Sequence, residues 1–162
     1  MKKIISLVLC AILAFALIGC VDTAKQDAIL KYINEDLASL TELETLFYDS
    51  YSSVSGDNYT DDETMYEELS NNTVIYARQL SDAATNLSSG IKDSDLLAVH
   101  KLYMEASTNN LNAITMIMAA LENQDYEQVS AANELLGKAN TLLIDFSDQL
   151  NTLAEANDIT IE

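Results

Sequence analysis

The chain has 162 residues, 26 acidic against 8 basic, and a net charge of −18 at neutral pH. So negative a surface excludes a nucleic-acid backbone as partner, because phosphates need clustered Lys and Arg. It has no proline, only four glycines and 49% hydrophobic residues, which argues against a turn-rich β fold and against disorder, and favours long uninterrupted helices.

Met1-Lys2-Lys3 opens the chain as a basic segment, and an apolar run follows from Ile4 to Ile18, broken only by Ser6. A membrane-spanning helix needs about 20 apolar residues. A shorter run behind two lysines reads as a signal peptide. The run ends in Leu17-Ile18-Gly19-Cys20, which resembles the lipobox of bacterial lipoproteins. That resemblance implies that the Cys20 thiol receives a diacylglycerol group, that cleavage after Gly19 makes Cys20 the first residue, and that the domain is lipid-anchored on the extracytoplasmic face of a cell membrane, as in small Gram-positive lipoproteins. It covers only residues 1–20. Expected divisions are therefore a signal peptide over 1–19, a lipidated tether over 20–23, a helical domain over 24–156 and a tail over 157–162. Cys10 would leave with the leader, so the processed domain would hold no disulfide and rely on its own packing. Loss of Lys2 and Lys3 would take its net charge to −20.

The first helix is expected from Ala24 to Val54, opened by a capping box at Thr23-Ala24-Lys25-Gln26 or by Asp27. Its apolar seam alternates three and four apart through Leu30, Ile33, Leu37, Leu40, Glu44, Phe47, Tyr51 and Val54. Ser55–Tyr59 is a turn. Thr60-Asp61-Asp62-Glu63 reads as a capping box that starts helix two, with a seam of Tyr66, Leu69, Thr73, Tyr76, Leu80, Ala83 and Leu87. Gly90 stands where a helix commonly ends. Helix three starts near Asp93 or Ser94 and carries two stripes. One is Leu96, Val99, Tyr103, Ala106, Asn110, Ala113 and Ile117. The other is Leu97, His100, Met104, Leu111, Ile114, Met118 and Leu121. Two stripes predict contact with more than one neighbour. Asp125, with Gln128, caps helix four, whose seam is Val129, Ala132, Leu136, Ala139, Leu143, Phe146, Leu150 and Leu153. The tail is expected frayed, or docked through Ile159 and Ile161. Four matched helices with short connections predict an all-α, up-down-up-down four-helix bundle.

A tether at Cys20 would make the Gly56 and Asn123–Asp125 turns distal to the membrane, and the Gly90 turn and C-terminus proximal. No Lys or Arg occurs between Tyr32 and Ala77 or between Leu102 and Gly137, and these stretches hold 16 of the 26 acidic residues. An anionic bilayer would repel the distal end and hold the bundle upright; simple solubility is the competing explanation.

The residues that could carry chemistry are few. Glu44 could be a buried carboxylate, acting as a base or a cation ligand. We prefer a slight rotation of the helix that turns Leu43 and Leu46 inward and leaves Glu44 at the rim. His100, the single histidine, reads as a hydrogen-bonded core residue, since no Cys or second His accompanies it as a metal ligand. Asp61, Asp62, Glu63, Glu67 and Glu68 could bind Ca²⁺ weakly but read as complements to a helix dipole. Ser89-Gly90-Ile91-Lys92 matches S-x-x-K without its partner motifs. Tyr51, Tyr59, Tyr66 and Tyr126 should gather distally, where tyrosine suits recognition.

The expectation is a non-enzymatic binding or scaffold module with no cofactor and no metal. It would be held to the membrane by its lipid and would contact a protein or cell-wall partner through Tyr59, Tyr66, Tyr126, Asp61, Asp62 and Glu63. The alternative is an extracytoplasmic ligand-sensing bundle, similar to chemoreceptor sensor domains, that signals through a separate membrane protein.

Overall fold

The absence of proline lets three of the four helical runs start at an acidic cap and continue for many turns. The computed structural model describes residues 14–16 and 23–161. Cys20 and most of the expected leader lie outside the described residues. The first run comprises α1 (Thr23–Lys31), a π-helical turn (Tyr32–Asp36) and α2 (Leu37–Ser53). The second comprises α3 (Asp62–Glu68), a π-helical turn (Leu69–Thr73) and α4 (Val74–Ser88). The third is α5 (Ser94–Asn123) and the fourth α6 (Tyr126–Glu155). The chain is thus all-α, a helical bundle. A short strand pair, β1 (Ala14–Ala16) antiparallel to β2 (Ile159–Ile161), is appended to it. The tail is docked rather than frayed, because Ile159 is buried in the core.

Asp93 and Asp125 cap α5 and α6 through carboxylate bonds to backbone N–H groups in the first turn. Such caps satisfy donors that a helix start leaves free. Helix two departs from expectation by one residue. Asp61, not Thr60, is the cap, accepting from the Thr64 N–H at 2.8 Å. Gly90 follows the cap residue Ser89, while the left-handed glycine is Gly56, at φ +60° in the turn between runs one and two.

The two π turns explain where the seams differ. A π turn inserts one residue into a helix, so a seam passing through it advances eight residues in two turns instead of seven. In the first run the buried step runs Ile29, Ile33, Leu37, with Gln26 and Tyr32 buried beside it, and Leu30 is only half-buried. In the second they are Leu69, Thr73, Ala77, Leu80 and Ala84, which leaves Tyr66, Tyr76, Ala83 and Leu87 half-buried. At the C-terminal end of helix one Ser50 is buried and Tyr51 half-buried.

The first stripe of helix three is buried at every position; in the second, only His100 and Ile114 are buried and the others lie at the rim. Consistent with that wide face, α5 packs against both α4 and α6, while α2 packs against α4. Helix four keeps its seam, with Ala132, Ala139, Leu143, Phe146 and Leu150 buried and Val129, Leu136 and Leu153 half-buried.

Hydrogen bonds and ion pairs fix which levels meet. At one end Lys25 pairs with Asp95 at 2.5 Å, and the Gln26 side chain donates to the Asn157 carbonyl at 2.6 Å. Midway Lys138 pairs with Glu105 at 2.6 Å. At the other end Tyr66 bonds Glu122.

The buried apolar residues form two clusters along this axis. One includes Leu40, Leu80, Ala106, Ala139 and Phe146. The other includes Phe47, Leu69, Ala77, Ala113 and Ala132. On helix one Glu44 lies between Leu40 and Phe47, and on helix three Ser107 and Asn110 lie between Ala106 and Ala113. Polar groups therefore occupy the middle of the bundle.

Candidate functional site

The tip at the Gly56 end gathers the residues that the sequence pointed to. Asp61 caps helix two, and its bonds to the Thr64 N–H and hydroxyl hold its pKa below the usual carboxylate value. Asp62, one residue on, accepts the Tyr59 hydroxyl at 2.8 Å. That bond, then partial burial and the nearby charges of Asp62 and Asp61, raise the Tyr59 pKa. Tyr126 makes the smallest contribution to the same rise.

Tyr66 donates to Glu122 across the helix two–helix three interface, and this bond raises its pKa. Together Asp62, Glu63, Tyr66, Glu67, Ser70, Leu121 and Glu122 line an open surface groove of about 470 Å³. Tyr59 is 47% exposed and Tyr126 79% exposed, the largest exposure among the big hydrophobic side chains. Tyr126 is the first residue of α6, where the Asp125 cap leaves it on the rim of the bundle. The cluster of carboxylates needs no cation to account for it: Asp61 satisfies helix donors, while Asp62 and Glu122 accept from tyrosines. Among the described residues, ion pairs form at Lys25, Lys31 and Lys138, and none reaches the tip.

His100 is fully buried in the core. Its Nε2 lies 2.7 Å from the Ala84 carbonyl, which can only accept, so Nε2 carries the proton and donates. Nδ1 then accepts the Tyr32 hydroxyl at 2.8 Å. Burial lowers the His100 pKa. With both nitrogens engaged, neither is free to ligate. Among the described residues no three His, Cys, Asp or Glu side chains converge as a metal-binding group, and no helix is long and apolar enough to cross a membrane.

Glu44 corrects the sequence reading. It is 4% exposed, while Leu46, expected to turn inward, is 39% exposed and Leu43 is only half-buried. The rotation that would move Glu44 to the rim does not occur, because Leu37, Leu40 and Phe47 fix the buried face. The Tyr103 hydroxyl donates to Glu44 Oε2 at 3.2 Å. Burial pushes the Glu44 pKa up to about 7, with the Tyr103 bond opposing the rise. A third buried polar group sits at the second π turn. Ser50 Oγ meets Thr73 Oγ1 at 2.6 Å and donates to Glu68 at the same distance. Spacing puts Thr73 on the helix-two seam but gives no sign of Ser50, which is short and polar and lies off the helix-one seam.

Compared with known proteins, the chain matches no family model, no curated protein and no solved structure. Functional reading therefore rests on the residues themselves.

Proposed function

We propose that the chain is a lipid-anchored, extracytoplasmic binding or scaffold protein without enzymatic activity. Its helices would form an up-down-up-down bundle, and its acidic, tyrosine-bearing tip would meet a protein or cell-envelope partner. The observation that carries this reading is the tip itself. Tyr59 and Tyr126 stand out into solvent beside a groove lined by Asp62, Glu63, Tyr66 and Glu122, at the end opposite Thr23. Exposed aromatic residues are costly to leave in water and are enriched at contact surfaces.

The Lys25–Asp95, Gln26–Asn157, Lys138–Glu105 and Tyr66–Glu122 contacts support the alternating helix directions. The lipobox-like Leu17-Ile18-Gly19-Cys20 supports the anchor, and it lies just ahead of the first helix. Processing after Gly19 would remove β1 and leave β2 held by the buried Ile159. The anchor would then sit at the Lys25 end and the tip would face away from the lipid. Two acyl chains give stable anchoring, each buried CH₂ contributing about 0.8 kcal/mol.

A photoreactive amino acid at position 126 or 59, in intact cells, tests the tip. A discrete crosslinked species is expected from these positions and not from exposed Asp148 on the far part of helix four. Equal capture from all three, or from Asp148 alone, would contradict a partner-binding tip.

A further inference from the structure

A carboxylate buried between two apolar clusters needs either a cation or a proton. Glu44 receives one hydrogen bond, the 3.2 Å contact from Tyr103, and none of the described ion pairs includes it. The groups around it come from all four helices. Helix one supplies Tyr48, one turn on, whose hydroxyl accepts from Asn110 at 3.3 Å and whose pKa is pushed up to about 12 by burial and by the Glu44 charge. Helix three supplies Tyr103, with His100 stacked beyond it at 6.3 Å. Helix two passes this level between Ala77 and Leu80, and its Arg78 points to solvent. Helix four passes it between Ala132 and Ala139, and its exposed Lys138 is paired with Glu105. Phe146 of helix four closes the far side of the Tyr103 ring, at 5.2 Å. The carboxyl thus has tyrosines of helices one and three beside it and, among the described residues, no cationic partner.

We propose that Glu44 is a proton-operated latch at the middle of the bundle. Protonated, it is neutral and can stay sealed between the helix-one and helix-three faces. Ionised, it has one donor where a carboxylate can accept several, and the layer opens locally to hydrate it while the apolar clusters on either side hold. Burial of this kind disfavours the charged form. The sign follows from linkage: the sealed form binds the proton more tightly than an open form with ordinary acidity. Its advantage is therefore complete at acidic pH and shrinks as pH rises from about 5 to about 7, then levels off.

Amide hydrogen exchange on the full-length protein in mild detergent, corrected for intrinsic rates, reads this directly. Protection of amides over 40–48 and 103–110 should fall by about tenfold for each unit of pH in that window, which is the equilibrium weight of one proton. Amides over 113–120, in the second apolar cluster, should hold. In Glu44→Gln the 40–48 protection should be flat with pH. In Tyr103→Phe, which removes the one donor to the carboxylate, the fall should continue to higher pH. Carbon-13 titration should place the Glu44 carboxyl apart from the other carboxyls. A Glu44 that titrates with them, a Glu44→Gln profile parallel to the native one, or equal loss of protection in all helices would overturn the proposal.

Discussion

Tyr32 and His100 hold each other in a single arrangement: the phenol donates to Nδ1 at 2.8 Å, and the opposite ring nitrogen donates to the Ala84 carbonyl at 2.7 Å. Helices one, two and three are thereby tied through one imidazole, next to the π turn that contains Tyr32. A neutral ring is required, since protonated Nδ1 could not accept. Burial lowers the His100 pKa from 6.5, so its contribution to stability is complete above about pH 6.5 and is lost as the pH falls below it. The imidazole C2 proton shift should place the protonation midpoint below 6.5. Tyr32→Phe, which leaves Nδ1 without a donor, should cost about 1–3 kcal/mol. A His100 that titrates near 6.5 would contradict the sealed arrangement.

Phe146 is fully buried and meets the Tyr103 ring edge-on at 5.2 Å. Phe146→Ala should lower stability by about 3–5 kcal/mol, measured from a urea midpoint. Leu136→Ala, at a half-buried position of the same seam, should cost less. Equal losses would mean that helix four is rotated about its axis.

Asp61→Ala should cost about 1 kcal/mol, the usual loss for an N-cap. Thr60→Ala should cost less, because the Thr64 N–H bonds Asp61. A reversed order would return the cap to Thr60.

These positions also show what was legible in the sequence. The caps at Asp93 and Asp125 and the first stripe of helix three follow local rules, and the structure keeps them. The π turns leave no local signature, so the seams shift to Ile29 and Ala77 where even spacing pointed to Leu30 and Tyr76. Even spacing puts Glu44 on the helix-one seam, and the slight rotation expected to carry it to the rim does not occur. Its donor, Tyr103, lies on another helix, beyond the reach of any spacing argument. At the tip the sequence pointed to Asp61, Asp62, Tyr59, Tyr66 and Tyr126, and the structure bonds Tyr59 to Asp62. The sequence reading missed Glu122, the acceptor for Tyr66, since a lone glutamate late in helix three carries no signal of its own.

Carboxylates crowd the tip, and the described ion pairs form elsewhere. Sodium chloride raised from about 0.02 to 0.2 M, which shortens the screening length to well below the width of the bundle, should therefore raise the thermal midpoint modestly. Calcium at matched ionic strength should add little beyond this. A rise at micromolar calcium that Asp61→Asn with Asp62→Asn abolishes would instead reveal a specific cation site.

Mass spectrometry of the N-terminal peptide from the membrane fraction tests the anchored-domain account most directly. The account predicts a peptide that begins at Cys20, carries a diacylglycerol thioether and lacks residues 1–19. In Cys20→Ser this modified peptide should disappear, and the protein should either leave the membrane fraction or persist as the uncleaved precursor. An unmodified Cys20 within a membrane-bound chain that retains residues 1–19 would contradict it.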